Sequence, residues 1–264
     1  MSETVRTSIR DGVAELTLNR PQALNALSPE MARALRETLE TVGEDPRVRC
    51  VVLRGQGEHF MAGGDVLFFR RQVEARGPGE PAVSGEIFRD AHGIIRALRG
   101  MPQPVIASVR GAAAGYGVSL VAACDLAVAA EGSVFTLAYC HIGATPDGGA
   151  TYFLPRTVGL KRTMEMMLLG GRYDAREALA MGLVNRVVPP ADLENETTRL
   201  AARLASGPAR AHALGKALVN ASLGSTLEEQ LTAEEEAFVR SSATADFAEG
   251  VRAFCDKRPP RFGG

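Results

Sequence analysis

The amino-acid sequence predicts an α/β domain built on a mainly parallel sheet and followed by a C-terminal region made of helices. Three observations carry this. Short β-branched runs alternate with amphipathic helical stretches over residues 1–190, an order that favours parallel strands joined by right-handed crossovers. After Val187 the turn VVPPADLE gives way to segments rich in Leu, Ala, Glu, Lys and Arg with no strand pattern. With 264 residues, 45% hydrophobic and 23% charged, the chain can bury one large core.

The elements follow in order. Residues 13–18 alternate, Ala14, Leu16 and Leu18 against Val13, Glu15 and Thr17, which is the period of a half-covered strand. A loop, NRPQALNAL, leads to Ser28, Pro29 and Glu30, an N-cap, a first-turn proline and a first-turn acid. Met31, Leu35, Leu39 and Val42 then recur at helical spacing before Gly43. Residues 49–53 and 105–109 are β-branched runs bounded by Gly, Pro or charge, expected as strands buried under helices. Between them, FFRRQVEARGPGEPAVSGE is rich in Gly, Pro and charge and predicts a mobile surface loop leading into a helix, placed to cover a ligand. The tail CDKRPPRFGG ends on two prolines that stop further helix.

Composition excludes several classes. Thirty basic against 31 acidic residues give a net charge of −1, which argues against nucleic acid or an anionic membrane as a partner held by bulk electrostatics. Cys50, Cys124, Cys140 and Cys255 form no CxxC pair and are expected as buried, reduced thiols, with neither a disulfide framework nor a metal site. The polar start MSETVRTSIRDG is unlike a signal peptide, and the longest uncharged apolar stretch, 111–124, is too short to span a bilayer; a cytoplasmic protein is expected.

Three Gly/Ala clusters, HFMAGGDV (59–66), GAAAGYGVS (111–119) and GATPDGGATYFLPRTVG (143–159), each follow a strand-like run. Glycine there lets backbone approach a ligand closely, and a helix starting there aims free N–H groups at the same place. Two such clusters can form an oxyanion hole. Neither GxxxxGK[ST] nor GxGxxG with a later ribose acid occurs, which argues against nucleotide hydrolysis and NAD binding.

In order and spacing these segments resemble the crotonase superfamily, the enoyl-CoA hydratase/isomerase family. The match extends through LNRPQALNAL, VVLRGQGEHFMAGGDV, PVIASVRGAAAGYGVSLVAACDLAVAAEGSVF, the PDGG segment, REALAMGLVNRVVP and EGVRAFCDKRPPRF, nearly the whole chain. The resemblance implies a spiral of ββα turns over 1–190 that binds an acyl-CoA thioester, and a helical oligomerisation region over 191–264 forming a homotrimer or dimer of trimers. It implies no cofactor beyond the coenzyme A of the substrate, and no metal. It places the two oxyanion N–H groups on Gly64 and Tyr116, the latter where a small residue is common. It places CoA against Ala23, Leu24, Ala62, Gly64, Asp65 and Val66, and sets Lys257 toward the ribose phosphate of its own or a neighbouring subunit's ligand. Asp65 is also read as fixing its own loop.

Removing a proton next to a thioester carbonyl, or at the vinylogous γ-carbon, piles charge on the carbonyl oxygen, and preorganised N–H donors stabilise that enolate by a few kcal/mol each. The two glutamates that hydratases of the family use fall here on Ser119 and Tyr139. Asp147, in TPDGG, instead matches the catalytic carboxylate of Δ3,Δ2-enoyl-CoA isomerases and, more closely, of 1,2-epoxyphenylacetyl-CoA isomerases of phenylacetate catabolism. One carboxylate suffices for a 1,3 proton shift. Other readings stay open: Asp147 as a helix cap, Tyr139 as a substrate contact or weak acid, His141 or His59 as polar residues satisfied in the fold, a Ser119–His141–Asp147 triad, a hydratase, or a catalytically silent CoA-binding oligomer.

Overall fold

The computed structural model describes residues 4–263. In chain order the elements are β1 (Val5–Arg10), β2 (Val13–Leu18), α1 (Pro29–Glu44), β3 (Cys50–Gly55), α2 (Val66–Ala75), α3 (Phe88–Gly100), β4 (Val105–Val109), β5 (Ala112–Ala114), α4 (Tyr116–Ala123), β6 (Leu126–Ala130), β7 (Val134–Thr136), α5 (Ala150–Thr157), α6 (Leu160–Leu169), β8 (Tyr173–Asp174), α7 (Ala175–Ala180), β9 (Arg186–Val188), α8 (Leu193–Ala205), α9 (Ala209–Ser222), α10 (Leu227–Ser242) and α11 (Ala245–Cys255). The main sheet has the order β1-β2-β3-β4-β6-β9; β1 runs antiparallel to β2, and every other neighbour is parallel.

Register explains the sequence pattern. Leu16 pairs with Leu53, Leu53 with Ala107 and Ala107 with Ala127, a row that faces α1 and α3 in the larger core. The alternate residues Cys50, Val52, Ile106 and Val128 face the other way, against Leu193, Leu200, Ala201 and Ala205 of α8. Strands covered on both faces read as unbroken apolar runs, as β3 and β4 do. Thus α8, which opens the helical segment beyond residue 190, covers the sheet's second face. At α1 the Ser28 hydroxyl accepts the Met31 N–H at 3.2 Å, as its cap signal predicts.

Three expectations need correction. The stretch after Asp65 is not all loop: α2 occupies 66–75, capped by the Asp65 carboxylate, which accepts the Phe68 N–H at 3.1 Å. No α2 residue is buried; Val66, Phe69 and Val73 do share one face, but the stripe is two turns long and runs directly into the Gly- and Pro-rich stretch that dominates the pattern. Strands β5, β7 and β8, two or three residues each, form a second small sheet that the sequence reading missed. Of the cysteines, Cys50 and Cys124 are buried, but Cys140 and Cys255 are exposed, since both lie at chain turns or helix ends facing solvent; all four are free.

A buried cation helps to fasten the helical region to the core. Lys216 Nζ, on α9, donates to the carbonyls of Leu98 (2.7 Å) and Gln103 (2.9 Å) and pairs with Asp125 at 2.8 Å, its side chain only 8% exposed. Asp125 also pairs with Arg99 at 3.2 Å. Lys216→Met leaves two buried carbonyls unmet and Asp125 with Arg99 as its remaining ion-pair partner, so it should lower unfolding stability by about 2 kcal/mol. Urea denaturation checks this.

Candidate active site

The first wall of the site is the loop 20–27 laid against residues 56–65. Asn25, fully buried and at φ +56°, donates from Nδ2 to the carbonyls of Gln56 (3.0 Å) and His59 (2.8 Å) and accepts the Arg20 N–H at 2.9 Å. Arg20 donates to the Ala26 carbonyl at 2.6 Å and pairs with Asp65 at 2.9 Å. Burial pushes the Asp65 carboxyl up, but the Phe68 N–H and the Arg20 guanidinium outweigh it and hold it below the usual range. Asp65 therefore fixes its own loop, as expected. The Ala62 N–H donates to Leu24, and Leu27 and Gly63 bond across the same gap, so Ala23, Leu24, Ala62, Gly64, Asp65 and Val66 form one neighbourhood. No hydrogen bond or ion pair among the described residues joins the exposed Lys257 to it.

The second wall is the start of α4. Gly115 takes φ +50°, and a Cβ there would lie 3.4 Å from Gly63 and 3.8 Å from the Tyr139 ring, so three segments abut at this point. Gly117 permits the approach: a Cβ on it would stand 2.5 Å from the Met61 carbonyl oxygen. Among the described residues, neither the Gly64 nor the Tyr116 N–H finds a backbone partner; the latter is a first-turn orphan of α4. Two free donors on abutting turns are the raw material of an oxyanion hole.

Tyr116 does not hang into this space. It is buried, and its hydroxyl donates to the Ala91 carbonyl of α3 at 2.5 Å, with its ring beneath Gly148. A Cβ on Gly148, itself at φ +59°, would come within 2.7 Å of that ring and 2.8 Å of Ser119 Cβ. The glycine after Asp147 is thus what lets the PDGG turn sit down on Tyr116 and Ser119.

Seated there, Asp147 is held from two sides. The Tyr139 hydroxyl donates to its Oδ1, and the Ser119 hydroxyl donates to its backbone carbonyl at 2.8 Å. Burial raises the Asp147 carboxyl above its ordinary value, against the pull of the Tyr139 hydroxyl and of nearby His92. Burial and the Asp147 charge keep the Tyr139 phenol protonated. The cap reading of Asp147 fails: the N-cap of α5 is Gly149, and no side chain caps the helix. The triad fails too, because His141 bonds the Gly170 carbonyl at 3.3 Å and meets neither Ser119 nor Asp147, while His59 accepts the Ala112 N–H at 3.1 Å. Asn25, and His92 whose charge bears on Asp147, are absent from the expectations drawn from the sequence. A buried Asn at positive φ inside NRPQALNAL is a detectable turn signal, whereas a lone His on a helix gives none.

This arrangement belongs to a known class. The chain matches the enoyl-CoA hydratase/isomerase family model over residues 8–264 and belongs to that family, within the crotonase superfamily. It is 37% identical over 264 residues to a 1,2-epoxyphenylacetyl-CoA isomerase of Escherichia coli (strain K12), covering 100% of both chains. It is 38% identical to a probable enoyl-CoA hydratase of Rhodobacter capsulatus, over 99% of this chain and 98% of the relative. Among solved structures, an enoyl-CoA hydratase from Polaromonas sp. JS666 superposes with a TM-score of 0.92 at 35% identity, covering 98% of this chain and 99% of the other. The mixed α/β architecture with its helical C-terminal region is that of the crotonase fold.

Proposed function

We propose that this enzyme is an acyl-CoA isomerase that shifts a carbon–carbon double bond, or opens an epoxide ring, through a thioester enolate. The N–H groups of Gly64 and Tyr116 receive the thioester oxygen. The Asp147 carboxylate takes a proton from the α-carbon of a 3-enoyl thioester, giving a dienolate and a neutral carboxyl, and the same proton returns to the γ-carbon as the double bond moves into conjugation. Desolvation makes the ionised carboxylate a stronger base, and the Tyr139 hydroxyl orients it. The supporting observation is that the two positions where hydratases of the family keep their glutamates are occupied here by Ser119 and Tyr139, and both groups bond Asp147. Coenzyme A lies against Ala23, Leu24, Ala62, Asp65 and Val66 in this reading, with Lys257 reaching its ribose phosphate from a neighbouring subunit. No metal and no separate cofactor take part, and the cytoplasm is the proposed compartment.

The pH profile of 3-enoyl-CoA isomerisation tests the pairing. The base works ionised, so activity falls as the medium is acidified through the Asp147 pKa, which lies above the ordinary carboxylate. Tyr139→Phe deletes a bond that lowers that pKa, so the acid limb should move to higher pH, with kcat roughly tenfold lower and KM little changed. A limb that stays in place removes Tyr139 from the mechanism.

A trimer or dimer of trimers is proposed for the assembly. Leu160, Leu168 and Leu169 on α6, Phe238 on α10 and the 86%-exposed Phe254 on α11 leave apolar surface that a partner copy would cover. Sedimentation should give a trimer or hexamer at micromolar concentration; a monomer contradicts this.

A further inference from the structure

The two turns that carry the Gly64 and Tyr116 N–H groups are joined by a seam of backbone hydrogen bonds. Along 111–115 the backbone groups alternate in direction. Gly111 and Gly115 bond β7, the Gly111 carbonyl accepting the Val134 N–H and the Gly115 N–H donating to Thr136, both at 2.9 Å. Ala112 and Ala114 therefore face residues 59–61. There the Met61 N–H donates to the Ala112 carbonyl at 3.0 Å, and the Met61 carbonyl accepts the Ala114 N–H at 2.8 Å, which is the pattern of a parallel ladder.

The ladder breaks one step upstream. Continued in register, it would have residue 59 donate to Arg110 and accept from Ala112. Instead the Phe60 N–H donates to Arg110 at 2.8 Å, and the His59 carbonyl is taken by Asn25 Nδ2, also at 2.8 Å. A side chain meets the Ala112 N–H: His59 Nδ1 accepts it at 3.1 Å. The ring reaches this place because Gly111, at φ +59°, has no side chain; a Cβ there would stand 2.5 Å from Nδ1 and 2.1 Å from the Glu58 carbonyl oxygen. His59 thus holds the loop of Asn25 with its carbonyl and the strand that leads into Tyr116 with its ring.

We propose that His59 is a positioning residue of the oxyanion hole. Its imidazole replaces the backbone acceptor that the seam has lost to Asn25, and so sets the spacing between the turn that bears Gly64 and the strand that ends at Gly115 and Tyr116. Donors aimed at developing charge act through their fixed placement, so a bond that holds the two turns together belongs to the hole's preorganisation. This inference rests on the reading of the Gly64 and Tyr116 N–H groups as the donors to the thioester oxygen.

The test is the infrared carbonyl stretch of isotope-labelled butyryl-CoA, a thioester with no double bond to shift, bound to the full-length protein and its variants. Binding to the wild-type protein should lower the frequency. His59→Leu, which fills the ring's place without an acceptor, should lose roughly half of that shift, as if one of the two donors were displaced. His59→Asn, whose Oδ1 lies as many bonds from Cα as the imidazole Nδ1, should keep most of it. S-butyl-CoA, a thioether without the carbonyl oxygen, should bind all three proteins within about twofold, since its affinity does not draw on the hole. The proposal is overturned if His59→Leu keeps the wild-type shift, if His59→Asn loses as much as His59→Leu, or if S-butyl-CoA binding falls in His59→Leu as far as butyryl-CoA binding, as a packing defect would make it. Absence of any shift in the wild-type protein removes the hole and this role with it. The expected pattern without isomerisation of a 3-enoyl-CoA sinks only the isomerase and supports this inference.

Discussion

Replacing Asp147 with Asn should lower isomerase turnover by ~10²-fold or more while acyl-CoA affinity changes little. The amide keeps the shape and can still accept the Tyr139 hydroxyl, so the loss isolates the proton transfer. Stability provides a control whose sign follows from linkage. The folded-state pKa of Asp147 is raised, so its contribution to stability is fully present below the unfolded value and is lost as pH rises through the folded one. At neutral pH the wild-type protein therefore carries the burden of a half-buried carboxylate, which the amide lacks. Asp147→Asn should melt no lower than wild type at pH 7, and the wild-type protein should gain on it as the pH falls toward the ordinary carboxylate range. A variant that loses activity together with several degrees of Tm would return Asp147 to a structural role.

Removing one oxyanion donor should be nearly as damaging. Gly64→Pro deletes the free N–H on the first wall and should cost roughly 2 to 4 kcal/mol of transition-state stabilisation, read as kcat/KM on a 3-enoyl-CoA. A Cβ at this position would lie 2.9 Å from the far end of the Phe69 side chain, which must swing aside. Circular dichroism and the oligomeric state therefore accompany the kinetics, and Phe69→Leu,Gly64→Pro makes room for the ring. A folded variant with undiminished turnover removes Gly64 from the hole.

Much of this site is legible in the chain because its parts are local. The alternation of 13–18, the Ser28-Pro29-Glu30 start and the three glycine clusters each declare their conformation within a few residues, and the strands and helices at 13–18, 29–44 and 105–109 lie where those signals put them. What stayed hidden is either marginal or nonlocal. Helix α2 buries no residue and its apolar stripe, Val66, Phe69 and Val73, lasts only two turns before a Gly- and Pro-rich stretch, and β5, β7 and β8 are too short to have a period. The bond from Tyr139 to Asp147 spans eight residues and exists because Gly148 settles on Tyr116 and Ser119, a packing relation that no window of sequence displays. The packing of α3 on residues 149–153, through Ile95 and Arg99, is more distant still in sequence. Tyr116 illustrates the reverse case. Its bulk at a position where relatives favour a small residue suggests a narrowed acyl pocket, yet its hydroxyl reaches away to Ala91 and the ring serves as a seat for the PDGG turn.

The central claim is that one carboxylate, with no second acid beside it, moves a proton between the α- and γ-carbons of a thioester enolate. The most direct measurement mixes the wild-type protein separately with a 3-enoyl-CoA and with crotonyl-CoA and follows the conjugated 2-enoyl thioester in each. The account predicts that conjugation appears in the first mixture and that in the second it persists, or fades far more slowly than the first reaction proceeds. Rapid loss of conjugation from crotonyl-CoA, with the 3-enoyl-CoA left unchanged, would contradict it and identify a hydratase.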